Sequence, residues 1–400
     1  MKKILLLGGS AQQVVAIETA KKLGYYTVLC DYLIDNPGQY EADKFYLVST
    51  TDKKAVLEIA KAEQVNGILA YASDPAAPTA AYVAEKLGLP TSPYQSVETL
   101  CNKDRFRKFL HENGFHAPQS EGYSSAQAVQ EDISRFLLPI IIKPVDSSGS
   151  KGATVLHTLD GLEQAIDFAF SFSRSHRIIV EEYIEKNHPY LIGGDVFVEN
   201  GQVILWGLLN CHRDPNVNPL VPVGKSYPLE LEETDIENVK TTLQAMVDKL
   251  NLRSCAMNVE LIIDKIGRVW PIDIGPRNGG NMIPDLLGMI FGVNVVEMSI
   301  QAAMGKNTIH EIREGIPYYA THNLHTASSG KFARVTYSDE IRPYVVKECI
   351  YKKTGDSVEY FDNSAKAIGI VFLKFNSRED MRNMLMNVNE HICVEIIQGG

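Results

Sequence analysis

The chain lacks the patterns that mark several large classes of protein. No C-x-x-C pair occurs, and the six cysteines (Cys30, Cys101, Cys211, Cys255, Cys349, Cys393) are scattered over 400 residues, so reduced thiols are expected in place of a disulfide framework or thiolate metal site. Basic residues are in deficit. With 39 Lys and Arg against 49 Asp and Glu, the formal net charge of −10 argues against nucleic acid or anionic lipid as a partner. Long apolar runs are also missing: "FLLPIII" (136–142) falls far short of a membrane span, and "MKKILLLGGS" has four apolar residues before Gly8, too few for a signal-peptide core. A cytoplasmic protein with no membrane partner is expected. The G-x-x-x-x-G-K-[ST] string occurs nowhere.

What is present is an ordinary globular composition, 45% hydrophobic and 22% charged, with strand and helix alternating over the first ninety or so residues. "KILLLGG", "YTVLCD", "FYLVST" and "GILAYAS" read as strands, and "AQQVVAIETAKKLG", "KKAVLEIAKAEQ" and "PTAAYVAEKLG" as helices, which predicts a doubly wound α/β domain. A dinucleotide fingerprint is incomplete there. Gly8 and Gly9 are followed by Gln12 and Gln13 where a third glycine is needed, so a tight strand-to-helix turn is the better reading. "VETLCNKDRFRKFLHENG" reads as one helix, "GGDVFVENGQVILWG" as a hairpin turning at Asn200-Gly201, and "TDIENVKTTLQAMVDKLN" as a long helix. Short strands return in the last eighty residues, and no internal repeat is visible.

Three local patterns carry chemistry. In "IIKPVDSSGSKG" (141–152) a lysine ends an apolar strand before a loop of small residues and a second lysine, which suits either a phosphate chain held by ammonium groups and backbone amides or a solvated hairpin tip. "NVELIIDKIGRVWPIDI" reads as a hairpin turning at 265–268. Pairing Asp264 with Val269 sets Glu260 opposite Asp273, a repulsive pair unless a divalent cation neutralises it or water screens it. "GPRNGGN" then offers Arg277 as an anion clamp and Gly279-Gly280 as a place where amides approach an anion.

Taken in order, these motifs resemble the ATP-grasp superfamily, in particular its carbamoyl-phosphate-synthase-like and phosphoribosylglycinamide-synthetase-like carboxylate-amine ligases. The resemblance implies an α/β preATP-grasp domain followed by an ATP-grasp fold of two α+β subdomains. The implied division is 1–95 for the preATP-grasp domain, 96–190 for the small subdomain with its linker helix, 191–310 for the large subdomain with the metal site, and 311–400 for a C-terminal part packing on them. It also implies an ATP-dependent ligase that makes an acyl phosphate from a small carboxylate and forms a C–N bond with an amine, using Mg²⁺ (or Mn²⁺), with a homodimer as the family's suggestion. Lys103 and Lys143 look like the phosphate lysines. Ser147, Ser148, Gly149, Ser150, Lys151 and Gly152 resemble the flap over the phosphates, and Glu181, Glu182, Tyr183 and Ile184 the adenine-reading hinge. Glu260 and Asp273 match the metal carboxylates, and Arg277 the arginine facing the transferred phosphoryl group or acyl substrate. His212, Arg213 and Lys225, on a loop at 210–230, and Gly279 and Gly280 are substrate-side candidates.

Two departures stand out. The family's E-x-N-P-R becomes Asp273-Ile274-Gly275-Pro276-Arg277, which removes an asparagine ligand, and "IEKNHPYLIGGD" replaces the segment that normally supplies a ribose-binding glutamate, leaving Glu185 as a substitute. Two alternatives stay open: an ATP-binding protein with impaired catalysis, and an ATP-grasp phosphotransferase. His322 and His325, three apart on an expected strand, should point to opposite faces and form no metal pair.

Overall fold

A computed structural model describes residues 1–308 and 311–397. The N-terminal unit is a parallel sheet in the order Lys44–Leu47, Tyr26–Asp31, Lys3–Leu7, Gly67–Leu69. The unbroken apolar run of "KILLL" is needed because both faces are covered. Leu5 and Leu7 pack with Val56 and Ala80 on one side, and Ile4 and Leu6 with Ile17 and Ile300 on the other. Ile300 belongs to the helix Val295–Ala303, so the second face of this sheet is closed by an element from much later in the chain.

A smaller antiparallel sheet follows, ordered Ser120–Tyr123, Ile178–Glu182, Ile140–Pro144, Thr154–Leu156. Ile140, Ile142 and Val180 bury one face against the helices Ala126–Asp132 and Leu162–Ser171, which leaves Ile141, Lys143 and Glu181 for the other. The third sheet has eight antiparallel strands: Val269–Gly275, Cys255–Ile263, Leu191–Glu199, Gln202–Arg213, Pro222–Tyr227, Tyr319–Leu324, Gly369–Lys374 and Val345–Ile350. The expected division after residue 310 lies outside the described residues. The C-terminal part adds the last three strands of this sheet and a separate small sheet of Ser357–Val358, Gly330–Tyr337 and Ile392–Ile397. The turn at Asn200-Gly201 is as expected. Both residues have positive φ, 50° and 82°, the conformation of a tight two-residue hairpin.

Four sequence expectations need correction. The single helix over 97–114 is two, Tyr94–Leu100 and Lys103–Glu112, because Asn102 caps the second by accepting from the Arg105 amide; Lys103 therefore opens a helix. The 210–230 segment is loop over 214–221 and again over 228–230, with a strand between them. Arg213 ends one strand, and Lys225 lies inside the next. The hairpin of Cys255–Ile263 and Val269–Gly275 pairs Ile263, not Asp264, with Val269, and a register shift beyond Glu260 restores Glu260 opposite Asp273. His322 and His325 do not diverge: the strand ends at Leu324, the chain turns, and the two rings lie 5.4 Å apart. Among the described residues no single helix is long and apolar enough to cross a membrane, and the bent pair Ile283–Phe291 and Val295–Ala303 is buried in the protein's own core.

Candidate active site

Between the small sheet and the large one lies a cleft of about 520 Å³. Its lining includes Lys103, Lys143, the loop Ser147 to Lys151, Glu181, Glu182, Tyr183, Ile184, His212, Arg213, Glu260 and Asp273. Side chains far apart in sequence meet because the two sheets turn their polar faces toward each other.

The small-sheet wall holds a buried charge cluster. Glu181 pairs with Lys143 Nζ at 2.8 Å and accepts from Arg107 Nη2 at 3.2 Å; Arg107 Nε is 2.9 Å from Glu181 Oε1 but too poorly aligned for a hydrogen bond. Arg107 also donates to the carbonyls of Pro271 (3.3 Å) and Ile272 (2.7 Å), tying the helix Lys103–Glu112 to the strand Val269–Gly275. Burial works against the Glu181 carboxylate, yet Arg107 and Lys143 outweigh it and hold the group down at about 2. Burial also pushes the Lys143 ammonium below its ordinary value, against the pull of Glu181. The sequence reading missed Arg107, although it falls one helical turn after Lys103.

The large-sheet wall carries the carboxylates. Lys103 Nζ is 3.7 Å from Asp273 Oδ2 and donates to the Ser147 carbonyl at 2.8 Å, while Arg213 Nη2 is 3.4 Å from Glu260 Oε1. Both carboxylates are partly exposed to the cleft. Two hard oxygen donors on adjacent strands fit Mg²⁺, which takes one or two carboxylates and completes its shell with phosphate oxygens and water. Among the described residues no group of three or more His, Cys, Asp or Glu side chains is arranged to hold a metal. A closed all-protein cage is therefore not what this site offers.

The flap loop touches both walls. Ser150 Oγ donates to the Leu220 carbonyl at 2.9 Å, which joins the loop to the 214–221 segment. In the hinge, the Tyr183 amide donates to Pro139 O (2.9 Å) and the Glu182 carboxylate accepts from the Leu137 amide (2.9 Å). His212 lies 2.9 Å from Ser226 Oγ and beside the Tyr190 ring; burial, with Lys225 and Arg213 adding to it, pushes it down to about 3, so it is a neutral imidazole. Tyr190 and Lys186 line the cleft near the hinge. Glu185 is not among the lining residues.

Gly152, Lys225, Arg277, Gly279 and Gly280 fall outside the cleft lining. Lys225 is buried, with its ammonium against Cys211 Sγ. Arg277 borders a separate cavity of about 80 Å³ beneath the N-terminal unit and donates to Asp74 Oδ1 at 2.7 Å. Gly279 does present its amide to an anion, but to an internal one: it donates to both Asp195 oxygens, at 2.9 and 2.8 Å. Burial pushes the Asp195 carboxyl up to about 6 despite these bonds and the one from Asn258. A carboxyl whose folded value exceeds its ordinary 3.8 binds more protons folded than unfolded, so stability falls as pH rises through that window. We expect Asp195→Asn to remove a slope of about 3 kcal/mol between about pH 4 and 6 in denaturant titrations.

Residues 136–285 match the ATP-grasp domain family. The formate-dependent phosphoribosylglycinamide formyltransferase of Synechococcus sp. (strain CC9311) is 30% identical over 189 residues, 46% of this chain and 48% of the relative. The chain spans about half the length of the first curated relatives it matches. In structure it resembles the L-amino acid ligase from Bacillus licheniformis, with a TM-score of 0.81 at 18% identity, covering 100% of this chain and 99% of that one. It also resembles the phosphoribosylglycinamide synthetase from Anaerococcus prevotii, with a TM-score of 0.75 at 20% identity, covering 99% and 100%. At that identity the structural likeness speaks for the fold. The chain thus carries an ATP-grasp domain over residues 136–285, within a fold that has the N-terminal parallel α/β domain and antiparallel subdomains expected from its sequence.

Proposed function

We infer that the protein is an ATP-dependent ligase that activates a small carboxylate as an acyl phosphate and joins it to an amine, releasing ADP and phosphate. The observation that carries this reading is the convergence on one cleft of Lys103 and Lys143, a loop of small residues, and the Glu260–Asp273 pair. The chain is similar to proteins named as an L-amino acid ligase and a formate-dependent formyltransferase, which supports the same class of chemistry.

A carboxylate that attacks a terminal phosphate must approach a group that is already anionic. Lys103 and Lys143 offset that repulsion from positions fixed before the substrates arrive, Lys103 by the Ser147 carbonyl and Lys143 by Glu181. Glu260 and Asp273 are the residues that would hold Mg²⁺, which would supply further positive charge to offset the negative charge of the phosphates. The loop at 147–152 closes over the phosphates and excludes water from the acyl phosphate. The hinge backbone at Glu182 and Ile184 reads the base, and Arg213 faces the substrate beside Glu260. His212 contributes a neutral polar contact there.

The test is ADP and phosphate release from Mg-ATP across a panel of carboxylic acids, with and without amines. Release that requires both an acid and an amine is the expected result. ADP without free phosphate would make the protein a phosphotransferase, and ATP binding with no turnover in any combination would overturn the enzymatic reading.

A further inference from the structure

Asp74 lies between the strand Gly67–Leu69 and the helix Ala77–Leu87, on the N-terminal unit. Its carboxylate takes Arg277 in a two-point contact, Nε to Oδ1 at 2.7 Å and Nη2 to Oδ2, while Arg277 Nη1 donates to Asn278 O at 2.9 Å. Burial opposes charge at Asp74, but Arg277 outweighs it and holds the carboxyl below its ordinary value. Gly275 follows Asp273 by two residues on one strand and so shares its face. A Cβ on Gly275 would sit 2.5 Å from Asp74 Oδ1 and 3.1 Å from Arg277 Nε. A carbon cannot stand that close to the carboxylate, so the asparagine of the family pattern has no room here while Asp74 is in place.

We propose that Asp74, delivered by the N-terminal unit, occupies the space of the side chain missing at 275 and is the positioning residue that fixes the Arg277 guanidinium two residues past the end of the strand that carries Asp273. Three of the five guanidinium N–H groups are engaged, which sets the plane of the group and leaves two for a ligand. Gly275 is then not a lost ligand. It is the gap that admits a carboxylate from another domain. The catalytic half of this proposal rests on the ligase reading; the steric half does not.

Four variants test it: Asp74→Ala, Asp74→Asn, Gly275→Asn, and Gly275→Asn combined with Asp74→Ala. Gly275→Asn alone should lower the melting temperature by about 5 °C, and adding Asp74→Ala should recover most of that loss, since the two side chains compete for one volume. In turnover, Asp74→Ala should reduce kcat roughly 10- to 100-fold with KM for ATP within about threefold, because Arg277 loses its orientation while the cleft lysines remain. Asp74→Asn, which keeps the shape, should retain more of kcat than Asp74→Ala. A Gly275→Asn protein as stable as the parent would overturn the steric half. An Asp74→Ala protein with lowered melting temperature but unchanged kcat would make the pair a structural tie and overturn the positioning role. A parent silent across the substrate panel would sink the ligase reading and the positioning role with it, while the melting temperatures still decide whether the two side chains share one space.

Discussion

Asp273→Asn is expected to lower ADP production at saturating Mg-ATP by roughly 10²- to 10³-fold. The substitution keeps the size of the side chain and one oxygen and removes only the charge. Asp273 is 43% exposed at its side chain and its nearest cation, Lys103, is 3.7 Å away, so the change strands no buried partner and stability should move by only about 0.5 kcal/mol. The rate loss therefore reports on electrostatics at the phosphates and not on folding. Glu260→Gln should act in the same direction. The two losses should not add in the double variant, since the carboxylates sit opposite each other in register and act as one site. ADP release titrated against Mg²⁺, alongside thermal melts, separates the cases. An undiminished rate would remove the metal role from Asp273, and a melting temperature that fell with the rate would attribute the loss to unfolding.

How far the sequence went toward this site follows from the range of the interactions involved. Lys143 at the end of an apolar strand, the small-residue loop after it and the Glu260–Asp273 hairpin are local patterns, legible from periodicity and turn chemistry. The helix break at Cys101-Asn102 was hidden because Asn102 reads as one polar residue in a long amphipathic stretch until its cap to Arg105 is seen. Asn, Pro and Asp in "DPNVNP" exaggerated the loop over 210–230, where two strands pass. Strand order in the large sheet was out of reach altogether. Leu191–Glu199 takes Cys255–Ile263 as a neighbour from beyond a hairpin and a long helix, and nothing local encodes that. The same reason hid Asp74: its partner Arg277 lies on another domain, and a carboxylate in "ASDPAA" looks like turn chemistry. Asp195 carried a faint signal, a single charge inside the apolar run "LIGGDVFV", but the run does not say that a glycine amide waits above it.

Glu181→Gln is expected to destabilise the fold by about 3–5 kcal/mol, because it leaves two buried cations, Arg107 and Lys143, without their shared anion. Arg107→Met should cost less. It removes a cation whose loss still leaves Glu181 paired with Lys143, and the penalty is mainly the carbonyls of Pro271 and Ile272 left without a donor. Combined, the two changes should fall short of the sum by more than about 1 kcal/mol, since each relieves an imbalance the other creates. The acid limb gives an independent check. Glu181 is held at about 2 against an ordinary 4.5, so its contribution is fully present above the ordinary value and is lost as pH falls toward about 2. Urea titrations over that window should show the parent losing about 3 kcal/mol that the Glu181→Gln protein has already lost. The same variant should affect nucleotide binding through Lys143. Burial already depresses that ammonium, and Glu181→Gln removes the charge that opposes the depression, so ATP affinity should fall more steeply at alkaline pH in Glu181→Gln than in the parent. Equal pH dependence in both proteins would mean that Lys143 keeps its charge unaided, and that the buried cluster serves the joint between the helix Lys103–Glu112 and the strand Val269–Gly275 rather than the phosphates.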